Sequence, residues 1–182
     1  MSEDLNNNFS LYLHNESVEM GINFTIYVLQ AGAWPLTQSA LSPFAIPQPL
    51  EKSVSLFEKF YASKFNGRKL TWLHHLCNAE VKFTFTKKAY HVLMSTYHMA
   101  ILLLFESSDQ LTYKEIQDNT KLTDEQLQRH LQSLTDLKIL LVNQSSNISQ
   151  QTEIVDSEFR PVNDETIYLL NKNYSNKRLR FK

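Results

Sequence analysis

Residues 57–76 read FEKFYASKFNGRKLTWLHHL, and a change of period inside this stretch decides the fold. Phe57, Phe60, Tyr61 and Phe65 recur at helical spacing, Asn66-Gly67 is a helix stop, and Leu70, Trp72 and His74 then alternate as in a strand. A helix packed on the strand that follows it is a compact α+β nucleus. Upstream, Pro49 suits a first helical turn and Glu51 its positive end, while Leu50 and Val54 extend the apolar stripe toward Phe57. Prolines at 35, 43, 47 and 49 forbid a regular helix before it, so Pro35 to Pro49 reads as an ordered, aromatic-anchored loop.

Further out, Phe24, Ile26 and Val28 alternate with Thr25, Tyr27 and Leu29. Both sets are largely apolar, β-branched or aromatic, which predicts a strand covered on both sides. Leu5, Phe9, Tyr12 and Leu13 fall at helical intervals in a segment too short to be helical alone in water, so it must pack on something. After the stop, Lys69–Leu76, Ala79–Thr86 and Tyr90–Ser95 read as a three-stranded antiparallel meander.

From Thr96 the period is helical again. Tyr97, Ala100, Ile101, Leu104 and Phe105 mark a buried helix capped by Ser95 or Thr96. Thr112 with Glu115 makes a capping box before Tyr113–Asn119, and Thr123 caps Asp124–Asp136. Strands at Ile139–Val142 and Thr166–Leu170 flank a polar tip from Asn143 to Pro161, completing the helix-turn-helix and wing of a winged-helix domain. Asn176 to Lys182 alternates Leu179 and Phe181 with cations, as an edge strand would. The expected class is α+β: a short N-terminal helix, an antiparallel or mixed sheet with a covering helix, then a winged-helix domain.

Composition bounds the function. At 182 residues, with 42% hydrophobic and 12% aromatic, the chain can bury one core or two small ones. The longest apolar run, Met99 to Phe105, is far too short for a bilayer, and the acidic, Asn-rich start is no basic leader. Cys77 is the sole cysteine, which excludes an intrachain disulfide; a cytoplasmic or nuclear protein is expected. The net charge of −1 divides into +1 over residues 1–105, −7 over 106–165 and +5 over 166–182.

No constellation carries catalysis. His74-His75 beside Cys77 lacks the further ligands that structural zinc requires, and His98 and His130 read as isolated surface or satisfied residues. There is no G-x-S-x-G turn, and glycines at 21, 32 and 67 cannot build a phosphate loop. No catalytic residue, metal or cofactor is therefore expected. A nucleic-acid-binding winged-helix protein is the competing class, but the would-be recognition helix sets Asp124, Glu125 and Asp136 against Arg129 in the acidic third of the chain. Protein contact remains: an open sheet edge is either covered by the chain's own Pro35–Pro49 loop or accepts a strand from another chain.

Three separated blocks carry a family resemblance: Asn66-Gly67-Arg68-Lys69-Leu70-Thr71-Trp72, Tyr27 to Pro35 (YVLQAGAWP), and Thr96 to Leu103 (TYHMAILL). Together they resemble the C-terminal region of a cullin, the scaffold of multisubunit ubiquitin ligases. VLQAGAWPLTQ followed by FAIPQ is most similar to the branch that works with elongin adaptors. The resemblance implies the end of a helical bundle over residues 1–21, an α/β domain over 22–95, a winged-helix domain over 96–174 and a terminal strand over 175–182. It implies a non-catalytic scaffold whose sheet takes in a strand from a zinc-bearing RING subunit, which recruits the ubiquitin-conjugating enzyme. Zinc is then expected only in that partner, and no membrane is involved. The residues matched to that sheet are Phe24, Ile26, Val28, Trp72 and His74, with Leu70 and Trp34 as core or rim. The N-terminal helical repeats and the second winged helix with its modified lysine have no counterpart in these residues, so the chain reads as a fragment or truncated relative, and neither adaptor binding nor modification is carried over.

Overall fold

The structure is a computed structural model that describes residues 2–29, 43–143 and 162–182. The chain divides into two compact units, Met1–Leu41 with Ile46–Leu73 and Ser42–Ala45 with His74–Lys182.

The first unit is built on two helices, α1 (Ser2–Asn15) and α2 (Gln48–Lys64). Pro49 sits in the first turn of α2, where its missing N–H costs nothing, and the stripe Val54, Phe57, Phe60 and Tyr61 is buried. α1 answers with Leu5, Phe9 and Leu13. Phe9 meets Phe57 edge-on with ring centroids 5.2 Å apart, and lies 5.2 Å from Phe60; such aromatic contacts add to the area buried. The Phe65 N–H closes α2 on the Tyr61 carbonyl, and Gly67 then takes φ +77°. That left-handed turn is the expected Asn66-Gly67 stop, and a side chain there would be strained.

Neither expected strand of this unit forms among the described residues. Residues 23–29 and 68–73 belong to no sheet, and His74–Leu76, in the second unit, is a turn of 3-10 helix. Alternation alone cannot make a strand, since a ladder needs a neighbour at hydrogen-bonding distance.

The second unit holds two small sheets. In the first, β1 (Asn78–Phe83) pairs antiparallel with β2 (Tyr90–Ser95) from Asn78↔Ser95 to Phe83↔Tyr90. Its third member is β6 (Arg180–Phe181), parallel to β2 at His91↔Arg180 and Val92↔Phe181, so the sheet is mixed, not the three-stranded meander expected with Lys69–Leu76. Arg180 is tied to Glu80 across the sheet and holds that carboxyl below its ordinary range. Tyr174 packs edge-on against Phe83 and Tyr90, and Asn176 N–H donates to the Tyr90 hydroxyl at 3.2 Å.

After β2 comes α3 (Thr96–Leu104), buried on nearly all sides and capped by Ser95, whose Oγ accepts from the His98 N–H. Then follow β3 (Gln110–Thr112), α4 (Tyr113–Thr120), α5 (Asp124–Asp136), β4 (Leu140–Asn143) and β5 (Ile167–Leu170). Both α4 and α5 begin in capping boxes, Thr112 with Glu115 and Thr123 with Gln126. β5 lies between β3 and β4, antiparallel to each. Ile116, Leu127, Leu131, Leu134 and Leu140 are almost fully buried beneath it. Most of the expected polar tip, residues 144–161, lies outside the described residues.

Phe57 is fully buried and touches Phe9, Phe60, Tyr61 and Trp72. Phe57→Ala is expected to cost about 3–5 kcal/mol through lost burial and an unfilled cavity. Urea unfolding of the variant should show that loss as a lowered midpoint with little change in slope.

Candidate functional site

Residues 24–29 define the candidate surface. Burial alternates along them: Ile26 is buried, Phe24 and Val28 are half-buried, and Thr25, Tyr27 and Leu29 are exposed. Tyr27 stands 78% exposed, so the segment is covered on one side only, which corrects the expectation of cover on both. The inward face joins the aromatic core of the first unit, with Leu70 and Trp72 packed against the same cluster. Trp72 lies 6.4 Å from Phe24 and 5.9 Å from Phe57, and its indole N–H donates to Glu58 Oε1 at 2.8 Å.

The backbone of Ile26 is held by a side chain. Asn6 Nδ2 donates to the Ile26 carbonyl at 2.7 Å, and the Ile26 N–H donates to Asn6 Oδ1 at 2.9 Å. A carboxamide thus stands in for one residue of a neighbouring strand, with donor and acceptor both matched. Among the described residues no hydrogen bond reaches the backbone of Thr25 or Tyr27. In a segment of period two, adjacent residues aim these groups at opposite edges, so Asn6 closes one edge, and among the described residues nothing pairs with the other.

Of the residues singled out from sequence, Phe24, Ile26, Val28, Leu70 and Trp72 are gathered on this one core. Trp34 lies in residues 30–42, outside the described residues. His74 belongs to the second unit, where its ring is 5.0 Å from that of Phe44 and burial, with His75 alongside, lowers its pKa. Thr25, Tyr27 and Leu29 were missed as surface residues. The alternation sorts these residues into one set but does not say which of the two sets faces solvent.

The second unit holds a polar chain in an otherwise apolar setting. Ser95 Oγ lies 2.9 Å from His98 Nδ1, and His98 Nε2 lies 3.2 Å from His130 Nδ1. Tyr97 meets the His130 ring edge-on at 5.4 Å. The two histidines are partners across α3 and α5, so of the expected surface or satisfied residues they are the satisfied kind and not isolated, and they line a cleft of about 300 Å³ with Val92, Met94, Leu134 and Ile139. His130 Nε2 is buried without a hydrogen-bond partner among the described residues. Burial, with the His98 and Arg129 charges adding to it, pushes the His130 pKa down to about 4, and burial lowers that of His98 as well. Among the described residues no three His, Cys, Asp or Glu side chains are gathered as a metal ion would need, and no helix is long and apolar enough to cross a membrane.

With these features described, comparison with known proteins places the chain. The model of the cullin alpha+beta domain matches residues 28–174. The chain is 38% identical over 176 residues to Cullin-1 of Dictyostelium discoideum, covering 91% of this chain and 21% of that protein. It is 33% identical over 156 residues to Cullin-2 of Caenorhabditis elegans, with 77% and 20% covered, and 30% identical over 182 residues to Cullin-5 of Dictyostelium discoideum, with 99% and 23% covered. The chain belongs to the cullin family. It spans about a fifth of the length of the curated relatives it matches.

Two outcomes follow from the geometry. Asn6→Ala leaves the Ile26 N–H and C=O without their partners and is expected to cost about 1–3 kcal/mol; hydrogen exchange should show the Ile26 amide losing protection while α5 amides keep theirs. For His130, a folded pKa of about 4 against the ordinary 6.5 means the unfolded chain binds the proton first. Its contribution is therefore complete above pH 6.5 and is lost as pH falls toward 4. His130→Leu should flatten that part of a stability-versus-pH profile relative to the parent protein.

Proposed function

We propose that this chain is part of the non-catalytic scaffold of a cullin-RING ubiquitin ligase, and that it docks a RING-type zinc subunit by strand addition along residues 24–29. The observation that carries this reading is the half-satisfied backbone: Asn6 closes Ile26 on one edge, while among the described residues no hydrogen bond takes up the Thr25 and Tyr27 groups on the other. A strand that lays its own N–H and C=O groups there satisfies both chains at once. Tyr27 and Leu29, apolar and exposed, supply contact area beside it, while Phe24, Ile26, Val28, Leu70 and Trp72 hold the edge in shape from within. The RING subunit would bring the zinc and the ubiquitin-conjugating enzyme, so this chain needs no cofactor of its own and acts in the cytoplasm or nucleus.

Finer assignments rest on supporting features. The order α3, β3, α4, α5, β4, β5 is that of a winged helix, read here as a structural module following an α/β domain. Asp124 and Glu125 in the first turn of α5 would repel phosphate where a recognition helix needs cations, which favours protein over nucleic acid as the partner. The wording VLQAGAWPLTQ and FAIPQ supports the elongin-adaptor branch.

The test is co-purification with a RING subunit from a cullin ligase. Proline at Ile26 would strike the Asn6 clamp, and hence the fold, so the informative change is Tyr27→Pro, which removes a donor from the open edge. Tyr27→Pro is expected to weaken the complex by at least about tenfold with the circular dichroism spectrum retained, the order of one lost ladder bond plus side-chain contact. Unchanged binding would show that this edge is not where the partner docks.

A further inference from the structure

The geometry points to Asn66-Gly67 as a self-modifying site: in the folded protein, Asn66 converts to aspartyl and isoaspartyl residues without an enzyme. The Gly67 amide nitrogen, having given up its proton, attacks the Asn66 side-chain carbonyl carbon. A C–N bond closes a succinimide ring, and the Asn66 amide nitrogen leaves as ammonia, carrying away the equivalent of the proton that Gly67 lost. Water then adds to either imide carbonyl. Opening one C–N bond leaves aspartate in the normal main chain; opening the other routes the main chain through the side-chain carbonyl as isoaspartate. No electrons change hands, and water is the sole co-reactant.

Four observations converge on this pair. Gly67 has no side chain to hinder attack, and a Cβ built on it would meet nothing within 4 Å, so no neighbour crowds this side of its amide. Both residues are exposed, so hydroxide and water reach them. Among the described residues no hydrogen bond engages the Gly67 N–H or the Asn66 carboxamide; the turn is held by Phe65 N–H to Tyr61 and by a long 3.5 Å contact from Arg68 N–H to Phe65. Exposed cations flank the pair at Lys64, Arg68 and Lys69, with Arg68 kept close by its position 4.9 Å over the Phe65 ring. They favour both the deprotonated amide and the oxyanion that forms on attack.

Other asparagines lack this combination. The carboxamides of Asn6, Asn171 and Asn176 are all engaged, with Ile26, Lys138 and Tyr174 among their partners, and each is followed by a residue bulkier than glycine. Conversion at Asn66 would place a carboxylate beside the C-terminal end of α2, where the helix dipole disfavours it. The isoaspartyl form also lengthens the main chain between α2 and Trp72, whose indole is bonded back to Glu58 on that helix.

The experiment incubates the full chain in mildly alkaline buffer, folded and in urea, and maps its peptides by mass spectrometry, with isoaspartyl methyltransferase labelling to count the rearranged product. Asn66 is expected to convert first, within a few-fold of the rate in the unfolded chain, and Asn66→Gln should abolish the methyl label while leaving the circular dichroism spectrum unchanged. A folded-state rate more than about tenfold below that in urea would mean the turn protects the bond, and would overturn the inference. So would earlier conversion at another asparagine.

Discussion

A segment that buries one face of its side chains must still find partners for its N–H and C=O groups, and among the described residues of the first unit Asn6 meets this requirement for residues 24–29 at Ile26. Burying Phe24, Ile26 and Val28 draws residues 24–29 against the aromatic core. Water is then displaced from one edge, where an unsatisfied N–H or C=O would cost on the order of 1–3 kcal/mol. Asn6 supplies both missing groups at Ile26. It can do so because α1 is fixed by Phe9 against Phe57 and Phe60, so its carboxamide is presented without further loss of freedom. The outer edge has no pairing among the described residues, since a side chain can imitate one residue of a strand but not a run of them.

The second unit solves the same accounting locally. The N-termini of α3, α4 and α5 each end in a hydroxyl cap, and in α4 and α5 the cap is reciprocated by Glu115 and Gln126. Its strands are all paired, β5 shared between β3 and β4 and β2 between β1 and β6. Among the described residues the exception is the side chain of His130, whose Nδ1 is matched by His98 but whose buried Nε2 is not. Keeping an imidazole neutral in such a place is cheap at neutral pH and costly in acid, because the proton it would take up has no acceptor or solvent to stabilise it.

How much of this could be read from the residues depended on range. The caps at Ser95, Thr112 and Thr123, the stop at Gly67 and the strands β1, β2, β4 and β5 are set by neighbours a few positions apart, and the sequence reading places them within a few residues. Pairings that join distant positions are not written in any period: the alternation of Asn176–Lys182 marks an edge strand, which forms as β6, but not the strand it meets. β6 meets β2 from a position 89 residues downstream at His91↔Arg180, Asn6 reaches Ile26 across 20 residues, and His98 reaches His130 across 32. The same blindness turned the alternation of residues 24–29 and 70–74 into strands, because period two describes a chain with two faces and says nothing of a neighbour to pair with. For the candidate surface the inward residues were legible as a hydrophobic set. The outward ones were not, since Tyr27 and Leu29 are themselves apolar and nothing in their identity marks the face that stays in solvent.

That ambiguity is itself informative. A strand-like segment exposed on one side would ordinarily carry polar residues there, as surface strands of antiparallel sheets do. Residues 25, 27 and 29 are instead Thr, Tyr and Leu, with Tyr27 at 78% and Leu29 at 38% exposure. Neither a charge nor a proline blunts the edge between Phe24 and Leu29, although both are the usual means of keeping an open edge from pairing with another chain. A face composed as if it were buried stands here beside an edge that no described residue pairs with. The Asn6 clamp explains how residues 24–29 keep their shape with no ladder on either side among the described residues.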